Sequence, residues 1–278
     1  MPLHLGYNTN GFAHHRLPDA LAILADLGYD SVALTLDHSC LDPFAADFRT
    51  QLDATRLLLD RLKLRPTIET GARFLLDPRR KHRPTLLSPP GKRDRRIEFL
   101  KLAVLAAQVL SADVVSFWSG TSLVPEPDEV LWGRLVDGCR HLADYAADRL
   151  VRLAFEPEPG MWIDTMDRWA ELHRRVDHPV FGLTIDIGHL HCLGETPIVP
   201  HLERWQSVLW NIHIEDMRRG VHDHIFFGEG EINFPPILSA LEKLSYTGGV
   251  HVELSRHSHD AVETARKALA FLRPTMNH

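Results

Sequence analysis

Apolar residues along this chain gather into short runs that recur roughly every 30 to 40 residues, the spacing of a strand–helix–strand unit. Runs rich in Val, Ile, Leu and Phe predict strands over residues 3–9, 31–37, 65–71, 114–120, 153–157, 182–188, 210–215 and 249–254. Most are nearly continuous rather than alternating, as strands buried on both faces of a parallel sheet require. Between them, apolar residues spaced three and four apart predict helices over 18–27, 50–62, 95–110, 128–150, 165–176, 234–244 and 260–272. The pattern is weakest over 197–207. Thr165 and Asn233 stand in front of two of these helices, where a short polar side chain caps free backbone N–H groups.

Eight such strands, each followed by a helix, predict one (β/α)8 TIM barrel spanning residues 1–278. An open, doubly wound sheet is the competing arrangement. It normally carries a glycine-rich phosphate loop after its first strand, and this chain reads "YNTNGF" there. The segment 71–93 breaks the rhythm, because long connections inside a compact domain are usually functional or disordered. Residues 73–96 hold nine Lys or Arg against two acids. That composition predicts either a solvated basic loop or a lid that offers positive charge to an anionic or oxygen-rich substrate.

Composition narrows the function classes. Hydrophobic residues at 44% and charged residues at 24% are ordinary for a globular chain. A net charge of -6 gives no reason to expect non-specific nucleic-acid binding. Cys40, Cys139 and Cys192 show no pairing spacing, which suits a reducing compartment. The first residues lack a basic stretch followed by an apolar run, and no apolar run is long enough to span a bilayer. A cytoplasmic protein without a membrane partner is expected. Eighteen histidines are the exception to this plain picture, histidine being the commonest metal ligand.

In a TIM barrel the chemistry sits at the C-terminal ends of the strands. Strand five ends with Glu156 and Glu158, strand six with Asp186 and His189; strand seven carries His213 and Glu215, strand eight His251 and Glu253. Alternate strand residues point to one side. Glu156, Asp186, His213 and Glu253 lie late in apolar strands, where burying a charge is expensive unless it is paired or bound to metal. Each alone is more simply a cap or an ion pair; four on consecutive strands can converge. Three carboxylates and an imidazole suit one Mn²⁺, Mg²⁺, Co²⁺ or Zn²⁺ rather than a soft metal. Trp118 and Trp162 follow strand ends, where an aromatic face can stack on a sugar ring. Packing is the alternative for both.

The segments "FEPEP" (155–159), "DIGH" (186–189), "HIEDMRRGVHDHIFFGEGEINF" (213–234) and "VELS" (252–255) occur in an order and spacing that resemble the xylose isomerase-like TIM-barrel superfamily. That group includes sugar 3-epimerases, inosose dehydratase-like lyases and endonuclease IV. The resemblance to the epimerase branch implies a divalent metal on Glu156, Asp186, His213 and Glu253. It also implies that Glu156 and Glu253 serve as acid and base on opposite faces of the substrate. It further implies substrate contacts from His189, from Arg218 or Arg219, and from Glu158. The endonuclease branch holds additional zinc on an Asp-x-x-His and an Asp-x-His pair. By that likeness His189, His222 and His224 are a candidate second metal site. This chain departs from that branch at "FWSG", where Trp118 replaces a histidine, and at "IETG", which has none.

The implied activity is a metal-dependent isomerase, epimerase or related dehydratase that works on a sugar, keto-sugar or polyol through an enediolate. The alternatives are a metal-dependent phosphoesterase and a non-catalytic metabolite-binding barrel. The expected partner is the small-molecule substrate. Nucleic acid is not expected, and a homo-oligomer is compatible with the sequence.

Overall fold

The structure, a computed structural model, describes residues 3–275. Eight parallel strands close into a barrel: β1 (His4–Asn8), β2 (Ser31–Thr35), β3 (Arg65–Glu69), β4 (Val115–Phe117), β5 (Leu153–Phe155), β6 (Phe181–Asp186), β7 (Leu209–Ile214) and β10 (Gly249–Val252). Each predicted strand is present, and the observed ones stop earlier because their last polar residues already belong to the mouth. The outer layer consists of α1 (Leu17–Leu27), α2 (Phe48–Leu62), α3 (Pro90–Leu110), α4 (Asp128–Ala147), α5 (Met166–Val176), α7 (Val199–Trp205), α8 (Phe234–Lys243) and α9 (Ala261–Thr275). Thr165 caps α5, its hydroxyl accepting from the Arg168 N–H at 3.4 Å. Asn233 occupies the corresponding place before α8 without a capping bond from its side chain. Pro235 and Pro236 in the first turn of α8 have no N–H to be capped.

Two local readings change. The strand predicted over 182–188 ends at Asp186, which caps the short helix α6 (Ile187–Leu193) by accepting from the His189 N–H at 2.8 Å. The polar stretch after His213 is an antiparallel hairpin, β8 (Asp216–Arg218) with β9 (Val221–Ile225). Asp216 anchors its base by accepting backbone N–H groups from Gly228, Gly230 and Ile232.

The 71–93 segment is a folded wall, since its Leu75, Leu76, Leu86 and Leu87 are buried. Arg96, on the face of α3 turned toward it, is only 3% exposed. It donates to the backbone carbonyls of His82 (3.0 Å) and Pro84 (2.9 Å). Helix α3 begins at Pro90, earlier than the apolar repeat predicts, because proline suits a first turn.

The register positions the site. Asp186 pairs with His213 across β6 and β7, and His213 with His251 across β7 and β10. In-register residues of neighbouring strands share a side, so all three point into the barrel. Below the mouth the interior is a polar layer. The Thr184 hydroxyl donates to Ser116 at 3.0 Å. His251 donates from Nδ1 to Asn211 Oδ1 (2.9 Å), which fixes its tautomer, and its Nε2 faces Ser31 Oγ at 2.8 Å. Gly6 in β1 makes room for that ring: a Cβ there would stand 2.3 Å from His251 Cδ2.

Candidate functional site

Glu156 follows β5 directly, its N–H donating to the Phe117 carbonyl at 2.8 Å. Asp186 ends β6, His213 lies within β7, and Glu253 follows β10. One ligand atom from each of these four residues lies within 4.8 Å of the other three. The convergence expected from strand ends is therefore present. His213 is its centre. Its Nδ1 lies 3.0 Å from Glu156 Oε1 and 3.1 Å from Glu253 Oε2; its Nε2 lies 2.8 Å from Glu69 Oε1. Asn211 supports the same carboxylate, donating to Glu69 Oε1 at 3.1 Å. Asn10 donates to Glu253 Oε1 at 2.8 Å and fixes that carboxylate.

The electrostatics follow from burial. Burial disfavours a charged His213, but Glu69, Glu156 and Glu253 outweigh it and raise the imidazole pKa well above its ordinary value. Burial pushes the Glu156 carboxyl up to about 7 against the pull of His213. Burial likewise raises Glu158, to about 8, with Glu156 and Glu253 adding repulsion. Glu253 goes the other way: burial opposes its charge, but His213 and His224 prevail and its pKa is lowered. Four carboxylates (Glu69, Glu156, Asp186, Glu253) thus crowd one imidazole. A divalent cation on Glu156, Asp186, His213 and Glu253 would neutralise that excess, and the mixed oxygen and nitrogen donor set fits one.

A second cluster adjoins the first. His189, His222 and His224 bring ring nitrogens within 4.8 Å of one another, as do ligand atoms of Asp186, Glu215 and His224. His222 Nε2 lies 3.0 Å from His189 Nε2. Asp186 Oδ2, His189 Nδ1, both Glu215 carboxylate oxygens and His224 Nδ1 are buried without a hydrogen bond. The approach of His224 Nδ1 to Glu215 Oε1, 3.8 Å, exceeds hydrogen-bond reach. Burial, with His224 and His222 close by, holds His189 near a pKa of about 3, so its ring is neutral. Gly188 is required here, because a Cβ would fall 2.1 Å from Glu215 Oε1.

Other expected residues divide between the cavity and its outside. Glu158, His189 and Trp118 line the cavity over the barrel mouth, as do His222 and His224. The Trp118 ring meets His82 edge-on at 5.0 Å and lies 4.9 Å from the Arg96 guanidinium carbon. Trp162 does not line it. Its ring packs against Trp132 at 4.7 Å under the Arg168 guanidinium, a helix-layer contact. Arg218 and Arg219 do not line it either. They sit at the turn joining β8 to β9, exposed, with Arg218 donating to the Glu229 carbonyl and the Arg219 N–H donating to Glu231. The turn carries both side chains away, while His222 and His224, two apart on β9, face inward.

Several cavity residues escape a search for histidines. Glu69 is the last residue of β3, in "IETG", and like Glu156 is a carboxylate at the end of an apolar strand. Its alternation with Thr67 is the signal that could have found it. Asn10 and Arg256 also line the cavity, and so do Arg73, Lys81 and His82 of the segment expected as a basic loop or a lid. Arg256 is ion-paired to Asp223 at 2.6 Å.

The profile of the xylose isomerase-like TIM barrel matches residues 21–275. Inosose dehydratase of Lacticaseibacillus casei is 29% identical over 165 residues, 52% of this chain and 55% of that protein. The match thus spans about half the length of that relative. L-ribulose-5-phosphate 3-epimerase UlaE of Shigella flexneri is 23% identical over 93% of this chain and 89% of its own. The solved structure of D-allulose 3-epimerase from Methylomonas sp. superposes with a TM-score of 0.79 at 20% identity, covering 98% of both chains. At that identity the superposition speaks for the fold. By its profile match, and with the barrel and strand-end site just described, the chain belongs to the xylose isomerase-like TIM-barrel family.

Proposed function

We propose that this chain is a divalent-metal-dependent isomerase or epimerase, or a related dehydratase, acting on a sugar, keto-sugar or polyol. The observation that carries the reading is the convergence of Glu156, Asp186, His213 and Glu253 to within 4.8 Å at the mouth of the barrel. The activities of the relatives, sugar-phosphate 3-epimerisation and inosose dehydration by name, support it. These four residues would hold the ion, His213 through Nδ1, since Nε2 is turned to Glu69. A bound divalent ion supplies Lewis acidity, which lowers the pKa of a C–H between carbonyl and hydroxyl.

The chain's own groups do the proton work. Glu253, lowered in pKa and oriented by Asn10, is the base that takes the carbon-bound proton. Glu156, which meets the same His213 Nδ1, returns a proton to the other face or to the neighbouring carbon, giving an epimer or an isomer. Glu158, raised to about 8, carries a proton at neutral pH that it can give to a departing hydroxyl, which makes the outcome a dehydration. His189 and Trp118 line the route by which substrate reaches these carboxylates.

A second ion on His189, His222 and His224 is part of the proposal. The unpartnered buried atoms of Asp186, His189, Glu215 and His224 support it. A phosphoesterase is less well supported, because Glu69 and Trp118 stand where the three-zinc branch has histidines or would need them. Residence in the cytoplasm belongs to the same reading, since Cys40, Cys139 and Cys192 are unpaired thiols. No helix among the described residues is long and apolar enough to cross a membrane.

Deuterium exchange into a panel of ketoses and inososes in D₂O tests the reading. Exchange that stops when the protein is stripped of metal and returns with Mn²⁺ or Co²⁺ is expected. Exchange undiminished by chelation would overturn it.

A further inference from the structure

The floor and the rim of the cavity carry opposite charge. Glu69, Glu156, Glu158, Asp186 and Glu253 form or adjoin the floor, and the 71–93 wall supplies the rim. Of the nine Lys and Arg in residues 73–96, two line the cavity, Arg73 and Lys81. The wall folds back on itself to bring them to one edge: the His82 N–H donates to the Arg73 carbonyl at 2.6 Å, and the His82 ring to the Gly71 carbonyl at 2.9 Å. Their neighbours are already engaged. Arg80 is ion-paired to Asp77 at 2.7 Å, Arg83 bonds Thr121, Arg93 donates to the Arg134 carbonyl, and Arg96 is buried against the wall.

Arg73 and Lys81 have no carboxylate within ion-pair distance among the described residues. The nearby carboxylate of Asp37 accepts the N–H groups of His38 (2.8 Å) and Arg73 (3.3 Å). Arg256, across the mouth, is neutralised by Asp223. His82 adds no charge at neutral pH, since burial and the cations beside it bring its ring down to about 4.

We propose that Arg73 and Lys81 form an anion subsite, and that the substrate is a sugar or polyol derivative bearing a phosphate or carboxylate remote from the reacting carbons. The inference rests on the sugar-enzyme reading above and narrows its substrate class. The two cations at the rim attract an anionic tail to that edge of the cavity, so the substrate is admitted in one direction.

Binding of D-fructose, D-fructose 6-phosphate and D-fructuronate to the metal-loaded protein, measured by calorimetry, tests it. At least one anionic member binds tighter than D-fructose by about tenfold or more, as charge-assisted contacts imply, and the tighter of the two identifies the anion. Arg73→Ala combined with Lys81→Ala brings the ratio close to one. Arg80→Ala, which removes an equal charge outside the cavity, leaves the ratio in place. Equal affinity across the series, no measurable binding of any member, or a preference that survives the double substitution overturns the subsite. Deuterium exchange run on the same series separates the two claims. Preference without exchange retains the subsite and overturns the reaction, whereas exchange at equal KM retains the reaction and overturns the subsite.

Discussion

His213 Nε2 lies 2.8 Å from Glu69 Oε1, on the far side of the ring from Glu156 and Glu253. This carboxylate–imidazole pair holds a proton on Nε2, so that Nδ1 is the nitrogen that would give up its proton and turn to the proposed ion. Partners of this kind typically matter about 10- to 100-fold in metal affinity. Glu69→Gln is therefore expected to weaken Mn²⁺ or Co²⁺ binding by that factor in a chelator competition, with the circular dichroism spectrum unchanged. Undiminished affinity would show that the pair does not position the ligand.

Glu253 is the assigned base and also one of the four proposed metal ligands, so its substitution is read at saturating Mn²⁺ or Co²⁺. Glu253→Gln keeps the size of the side chain and its bond from Asn10. A missing general base typically costs about 10²- to 10⁴-fold, so single-turnover deuterium exchange should fall by that amount. Exchange at the wild-type rate would remove Glu253 from the role.

The pH dependence of stability carries a signature of His82. Its folded pKa, about 4, lies below an unfolded value near 6.5, because burial disfavours the imidazolium. A depressed histidine leaves stability whole above the unfolded pKa and erodes it as pH falls toward the folded one. Between pH 6.5 and 4 the slope is at most ~1.4 kcal/mol per unit, on the order of 3 kcal/mol in all. Denaturant melts of wild type and His82→Gln across this window should converge as pH falls. Parallel curves would show that His82 is not buried as a neutral ring.

Arg96 is expected to be the pin of the cavity wall. Arg96→Ala leaves the His82 and Pro84 carbonyls without a donor, a loss of about 2–4 kcal/mol. The first visible effect is faster tryptic cleavage at Arg79, Arg80 or Lys81 under native conditions, together with a raised KM. Arg96→Lys should not restore resistance, since one ammonium cannot reproduce a planar fork across two carbonyls. Full restoration by lysine would make charge, not geometry, the pin.

The barrel was legible in the sequence because parallel strands buried on both faces leave continuous apolar runs, and charged residues interrupting their ends are too expensive to be incidental. Glu156, Asp186, His213 and Glu253 could be read in this way. Arg218, Arg219 and Trp162 were expected at the substrate and lie outside the cavity lining, because their direction depends on where a hairpin turns and on which side of a loop a ring packs. Glu69 shows a different gap: it obeys the strand-end rule but lies in "IETG", a segment that lacks the histidine of the endonuclease likeness. Arg73 and Lys81 come from a segment whose composition suggested charge, while its buried leucines, which make it a wall, gave no periodic pattern.

The central claim is that His213 and the three carboxylates around it hold a divalent ion. Metal content of the purified wild type and of His213→Ala, measured by elemental analysis after dialysis against Mn²⁺ or Co²⁺, tests it most directly. The account predicts at least one bound equivalent per wild-type chain and the loss of one equivalent in the variant. The same metal content in both proteins would contradict it.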